Sequence, residues 1–170
     1  DIEGLGAAVA EQLVEEGLVH SAYELYHLPK DAVAALERQG EKSAENLLAA
    51  IEKSKENDLY RVIYALGIRH IGQKAAKLLA DRFGEMERVM DATAEELNAI
   101  DGFGAIMADS VVQFFALPQS RHFVEQLKLS GVNMTRLGQD AGEREDRRFA
   151  GMTFVLTGAL PSMTREEASA

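Results

Sequence analysis

The sequence contains no cysteine, no long apolar run and no surplus of positive charge, and each absence excludes a class of protein. Without cysteine the chain can form no disulfide and no thiolate metal site. No stretch reaches the roughly 18 consecutive apolar residues that cross a membrane, and the N-terminus does not resemble a signal peptide. Hydrophobic residues make up 46% of the 170, enough for a buried core. We therefore expect a globular cytoplasmic protein, and because the chain begins at Asp1 rather than Met, an excised part of a longer one.

The ionisable residues show no catalytic or metal-binding pattern. The four histidines, at positions 20, 27, 70 and 122, do not pair at the helical spacing of a metal site. Neither a Ser/His/Asp grouping nor a phosphate-binding loop of the Walker kind is present. Carboxylate pairs such as Glu15–Glu16 and Glu95–Glu96 fall at helix caps and ends, where acidic residues are common. We predict no catalytic, cofactor-binding or metal-binding residue in this chain.

A fourfold repeat of glycines is the strongest pattern in the chain. The repeated segments are Ile2–Gly6, Leu36–Gly40, Ile68–Gly72 and Ile100–Gly104, and their final glycines are 34, 32 and 32 residues apart. Alanine stands four positions after each final glycine, and aliphatic residues stand seven and eight positions after it. Because these offsets mark one face of a helix, each glycine is predicted to precede a helix with an apolar inner face.

Capping residues predict shorter helices between the repeats. Ser21 is predicted to cap a helix at 22–27, and Asp31 to cap a helix that runs to Gly40. Asn57 or Asp58 precedes a predicted helix at 59–66, and Thr93 precedes one at 94–99. Pro118 is predicted to open a helix at 118–129. Residues 138–148 are almost entirely polar and read as a linker. Residues 152–157 then form a predicted strand that ends at Gly158, followed by the start of a helix at Thr164. One strand and half a helix cannot build a core, so we expect poor packing there.

The net charge of −10 argues against a nucleic-acid binder, so a DNA-binding interpretation has to rest on local geometry. A helix N-terminus offers unpaired N–H groups and a partial positive charge, and a phosphate binds there without a basic side chain. Glycines in the preceding turn let the phosphate approach closely. Contacts of this kind grip the sugar–phosphate backbone whatever the bases are. The predicted DNA-binding residues are Gly4, Gly6, Gly40, Lys42, Arg69, His70, Gly72, Lys74, Gly102 and Gly104.

Several stretches closely resemble the C-terminal half of bacterial NAD+-dependent DNA ligases. They are Ile2–Gly6, Gly40–Leu47, the Leu-Gly-Ile-Arg-His-Ile-Gly sequence ending at Gly72, and Phe149–Gly158. The resemblance covers essentially the whole chain and implies an all-α fold of four tandem helix-hairpin-helix motifs followed by a truncated α/β BRCT fragment. The implied domains are a helix-hairpin-helix DNA-binding domain at 1–137, a linker at 138–148, and the first strand and helix start of a BRCT domain at 149–170.

The resemblance also implies a function. The module helps a ligase to encircle nicked duplex DNA, and the parent enzyme seals nicks in replication and repair. The parent uses NAD+, Mg2+ or Mn2+, and Zn2+, while this fragment holds no cofactor and lacks the catalytic centre. No lysine here is followed by x-Asp-Gly, the motif of the adenylated lysine. The implied partners are nicked DNA and the other domains of the same ligase, in a cytoplasmic, nucleoid-associated monomer.

Two alternatives stay open at this point. One is a DNA-binding module from another repair protein, and the other is a protein-interaction scaffold, since helical repeats of this size also bind proteins. Arg38 stands where the second hairpin would carry its first glycine, which places that hairpin's backbone contact in doubt.

The repeats predict a division of labour. Gly4/Gly6 and Gly102/Gly104 are expected to hold phosphate by backbone amides alone, while the second and third hairpins add Lys42 and Lys74. The double substitution Lys42→Ala and Lys74→Ala should weaken DNA binding and flatten its salt dependence. Titration of labelled duplex at several salt concentrations measures both, and an unchanged affinity and slope would refute the assignment of the lysines.

Overall fold

The structure, a computed structural model, describes residues 2–37 and 40–138. The predicted BRCT fragment at 149–170, all of the predicted linker but Gly138, and the pair Arg38–Gln39 lie outside these residues. Residues 1–137 form one compact unit. None of the described helices has the length and the apolar character needed to pass through a bilayer.

The secondary-structure elements of the described residues are all helices, which confirms the predicted all-α fold class. The only β pairing among them is a single bridge between Glu85 and Thr135. In chain order the elements are α1 (Ala7–Glu15), a 3-10 helix (Ala22–His27), α2 (Lys30–Ala34), α3 (Glu41–Ser54), α4 (Leu59–Ala65), α5 (Gln73–Phe83), α6 (Met86–Met90), α7 (Ala94–Asn98), α8 (Ala105–Ala116) and α9 (Pro118–Leu129).

Most of the predicted helix starts are confirmed by their caps. The Asp58 carboxylate accepts a hydrogen bond from the backbone N–H of Tyr60 at 3.1 Å. Thr93 and Glu96 form a reciprocal capping box, with bonds of 3.2 and 2.9 Å. Pro118 is the first residue of α9, where its missing N–H leaves no helix bond unmade.

The prediction for Asp31 is wrong. Asp31 lies inside α2, which begins one residue earlier and ends at Ala34 rather than running on to Gly40. The extended backbone of Pro29 (φ −73°, ψ 137°) lets its carbonyl accept the first helix bond, from the N–H of Val33. Proline therefore occupies the capping position that the sequence analysis gave to the carboxylate.

The inner face predicted for the four repeat helices is correct at two of its three positions. The residues seven places after the glycines are all buried: Leu13, Leu47, Leu79 and Val111. Four places after the glycines, Ala44, Ala76 and Ala108 are fully buried, and Ala10 is half-buried. Eight places after them the prediction fails for two helices, because Val14 and Val112 are 59% and 39% exposed. That position lies 100° around the helix from the seventh, and in α1 and α8 no element among the described residues covers it fully.

The buried side chains form two separate cores. The first contains Leu13, Val33, Leu47 and Ile51, and joins α1, α2 and α3. The second is larger, extends from Leu59 to Met134, and includes the fully buried Phe115. The chain therefore pairs the first hairpin with the second around one core, and the third with the fourth around another.

A small set of contacts joins the two cores. The backbone N–H of Asn133 donates to the carbonyl of Lys55 at 2.8 Å, and its side-chain amide donates to the carbonyl of Asn57 at 3.0 Å. The rings of Tyr23 and Phe123 meet edge to face with centroids 5.8 Å apart. Since these groups come from both halves of the chain, the two hairpin pairs are held in one body.

The second core is expected to carry much of the stability. Leu79→Ala should lower the free energy of unfolding by about 2–5 kcal/mol, because the fully buried side chain leaves a cavity. Leu129→Ala is the matched control: the same change at a side chain that is 73% exposed should stay within about 0.5 kcal/mol of the original protein. Urea unfolding followed by circular dichroism measures both, and equal losses would contradict the assignment of the core.

Candidate nucleic-acid interface

Three of the four predicted hairpins have the same tight turn. A hydrogen bond closes each one, from Leu5 N–H to Ile2 carbonyl, Ile71 N–H to Ile68 carbonyl, and Phe103 N–H to Ile100 carbonyl, at 3.3, 3.0 and 3.0 Å. The third residue of each turn has positive φ: Gly4 at 83°, His70 at 65° and Gly102 at 78°. A type II turn needs this conformation, which glycine adopts without strain. The corresponding residue of the second hairpin, Arg38, lies outside the described residues.

The glycine that ends each hairpin is the N-cap of the helix that follows. Gly6, Gly40, Gly72 and Gly104 have extended backbones, and no side chain caps the N–H groups of the helices they begin. All four are exposed, and a Cβ added to any of them would meet nothing within 4 Å. The N–H groups of the first helical turn are thus left for solvent or for a ligand.

The tips belong to different parts of the unit. In the first hairpin, a Cβ at Gly4 would lie 3.9 Å from Leu47, so this tip rests beside α3, the helix of the second hairpin. Arg69, His70, Gly72 and Lys74 come together on the third hairpin, where all four are exposed. Lys42, by contrast, lies on α3 and belongs to the first core's half of the molecule.

The charge at the second residue of the repeat, which we call the apex of the hairpin, distinguishes the third hairpin. The second residue of the repeat is Glu3, Glu37, Arg69 and Asp101 in the four copies, so only the third carries a cation there. Neither Arg69 nor Lys74 has an ion-pair partner within 4 Å among the residues that the structure describes. Their charges therefore act outward, toward solvent or toward an anionic ligand.

The second hairpin is electrostatically weaker. Lys42 follows Glu41 in the first turn of α3, and Lys30 of α2 is hydrogen-bonded to Glu45 at 2.8 Å. The hydrogen bond from Lys30 lowers the pKa of the Glu45 carboxyl, which therefore stays ionised and neutralises that lysine. Among the described residues of this tip, Lys42 is an exposed cation.

Sequence reasoning missed a group of side chains beside the third hairpin. The ammonium of Lys77 and the guanidinium of Arg61 lie 5.0 and 5.3 Å from the centre of the Tyr60 ring. One signal was present, since Lys77 stands one helical turn after Lys74. The packing of α4 against α5, which brings Tyr60 to Lys77, was not predicted.

No group of three or more His, Cys, Asp or Glu side chains within the described ranges is arranged to hold a metal ion. At the hairpin tips themselves, the exposed groups include backbone N–H donors and the cations Lys42, Arg69 and Lys74. Such groups bind anions.

Comparisons with known proteins assign the same two halves. Residues 1–53 match a family described as a SAM-like helix-hairpin-helix tandem, and residues 61–124 match a family described as a helix-hairpin-helix motif. These ranges coincide closely with the elements around the first and second cores.

Three curated relatives align with nearly the whole chain, and each is named DNA ligase. The one from Acetivibrio thermocellus is 51% identical over 170 residues, that from Anoxybacillus flavithermus 53% over 168, and that from Brevibacillus brevis 49% over 170. Each alignment covers 99% of this chain and 25% of the relative. The chain thus spans about a quarter of the length of the curated relatives it matches.

The turn geometry predicts that Gly102 tolerates a side chain poorly. Gly102→Ala should lower the free energy of unfolding by about 1–2 kcal/mol, because alanine resists a φ of 78° even in open space. Gly102→Asn should lose less than about 1 kcal/mol, since asparagine adopts the left-handed conformation more readily. Chemical denaturation compares the two variants, and equal losses would show that the φ value is not the cause.

Proposed function

Since the chain belongs to the DNA ligase family, we propose that it forms the part of a ligase that holds duplex DNA by its sugar–phosphate backbone, whatever the base sequence. The observation that carries the proposal is the set of four exposed glycine N-caps, each opening a helix with no side-chain cap. An anionic oxygen that reaches such a tip finds N–H donors and the positive end of a helix dipole.

The local charges support the proposal better than the net charge does. The chain as a whole carries −10, which opposes the approach of DNA at long range. At contact distance, screening by salt limits that repulsion to roughly 10 Å, and the nearest groups dominate. Arg69 and Lys74 are then the charges that a phosphate at the third hairpin meets, and the exposed His70 lies beside them.

The parent protein is proposed to be an NAD+-dependent ligase. It would join a 3′-hydroxyl to a 5′-phosphate in nicked DNA during replication and repair, by way of an adenylated lysine. NAD+, a divalent metal (Mg2+ or Mn2+) and Zn2+ are assigned to the parent and to no residue of this chain. Its proposed partners are nicked duplex DNA and the remaining domains of the same ligase, in a cytoplasmic monomer.

A second candidate concerns the first hairpin pair alone. Glu3 places a carboxylate at the apex of the first hairpin, and like charges repel a phosphate. In this version the first pair contacts protein, in keeping with the scaffold alternative, while the second pair holds DNA. The two versions differ in whether substitutions at the first pair change DNA affinity.

Fluorescence anisotropy of labelled duplexes tests the main proposal. The 170-residue chain should bind nicked and intact duplexes of unrelated sequence with similar affinity, and binding should weaken steeply as salt rises. Arg69→Ala should reduce the slope of log K against log salt by about 1 if this residue neutralises one phosphate. No binding at low salt, or a strong preference for one sequence, would contradict it.

The carboxylate at the fourth apex provides a sharper test of that hairpin. Asp101→Asn should raise DNA affinity, because it removes a negative charge beside the proposed phosphate site at Gly102 and Gly104. Glu125→Gln on α9 is the control, with the same change of charge away from any hairpin. Equal effects of the two substitutions would show that the fourth hairpin does not contact DNA.

A further inference from the structure

A strip of exposed and half-exposed side chains runs from the third hairpin along one side of α4 and α5. It consists of Tyr60 and Tyr64 on α4 and of Lys74 and Lys77 on α5, and we call it the α4–α5 strip. Tyr64 is 53% exposed. Tyr60 packs against the edge of the second core, whereas Tyr64, Lys74 and Lys77 do not belong to that core.

The spacing of these residues makes the strip continuous. Tyr60 and Tyr64 are four residues apart and therefore share a face of α4. Lys74 and Lys77 are three apart on α5, and the Lys77 ammonium lies 5.0 Å from the centre of the Tyr60 ring. Lys74 is two residues from the capping Gly72, so the strip begins at the tip of the hairpin and extends along α5 by about one turn.

We propose that the α4–α5 strip continues the contact of the third hairpin with duplex DNA, binding the next phosphates of the same strand. This inference rests on the proposed function. The ammonium groups of Lys74 and Lys77 and the hydroxyl of Tyr64 supply donors of the kinds that proteins use on phosphates. Tyr60 acts as a positioning residue, because its ring holds the Lys77 ammonium by a cation–π contact.

Charge complementarity and continuity select DNA as the occupant. The strip displays two lysines and no carboxylate of its own, whereas the other three apexes carry Glu3, Glu37 and Asp101. It is also continuous with Arg69 and His70 of the third hairpin. A rod of phosphates that touches this tip has to extend past it, because neighbouring phosphates on one strand follow at steps of a few ångströms along the duplex.

Salt-dependent binding of a nicked duplex by the 170-residue chain tests the strip. Lys77→Ala should reduce the slope of log K against log salt by about 1, as for the loss of one phosphate contact. Tyr64→Phe keeps the ring, removes the hydroxyl donor, and should weaken binding about two- to tenfold. Tyr60→Leu should weaken it about two- to fivefold, whereas Tyr60→Phe, which keeps the ring, should not.

Controls separate this inference from the proposed function. Arg88→Ala removes a positive charge on α6, beyond the end of α5 opposite to the third hairpin, and should leave the slope unchanged. If Lys77→Ala gives the same slope as the unaltered chain while Arg69→Ala lowers it, the proposed DNA contact of the strip is refuted and the proposed function stands. If the unaltered chain binds no duplex at low salt, both fail. Thermal melting verifies folding, and Lys77→Ala alone decides the matter if Tyr60→Leu unfolds the protein.

Discussion

The burial of the second helical turn, with the first turn left bare, is the constraint on which the rest of this structure depends. Leu13, Leu47, Leu79 and Val111 each lie seven residues after a capping glycine and are buried in a core. Each anchor fixes its helix while the capping glycine about 10 Å away stays in solvent, at 1.5 Å of rise per residue. A helix held in this way has its unpaired N–H donors fixed in position, so a ligand does not have to order them.

The two cores explain how four such tips coexist in a small protein. If all four helices packed around a single core, their hairpin tips would be crowded onto the same part of the surface. Here each core serves two hairpins, and the bonds from Asn133 to Lys55 and Asn57 join the halves. The grip on a ligand is thus spread over two pairs of tips whose relative placement depends on a few polar bonds and on aromatic contacts such as Tyr23 with Phe123.

The sequence predicted the repeat and most helix positions because each rests on local chemistry. Glycine at a turn, alanine four residues later and Thr93 with Glu96 are signals contained within a few residues. Burial at the eighth position was mispredicted for Val14 and Val112, because whether a neighbour covers that side depends on the path of distant segments. The contact of Tyr60 with Lys77 was not predicted for the same reason. These two residues are 17 positions apart in the chain, and only the packing of α4 on α5 brings them together. At Asp31 two local signals competed, and the fixed φ of Pro29 took the capping position.

The third hairpin combines the features that distinguish one tip from the others. His70 adopts a φ of 65°, the only positive value among the described non-glycine residues, and a side chain in this region costs roughly 1–2 kcal/mol. The larger core lies directly behind this hairpin and includes Ile68 and Ile71 on either side of the strained residue, so the turn is held from both ends. Arg69, His70 and Lys74 can therefore stand together at one apex, where a glycine in place of His70 would relieve the backbone but add no donor. The third hairpin carries Arg69 and Lys74 with no acidic residue between positions 68 and 74. In the second hairpin, Glu37 and Glu41 offset Arg38 and Lys42, so in a chain with net charge −10 the third tip has the more positive local field.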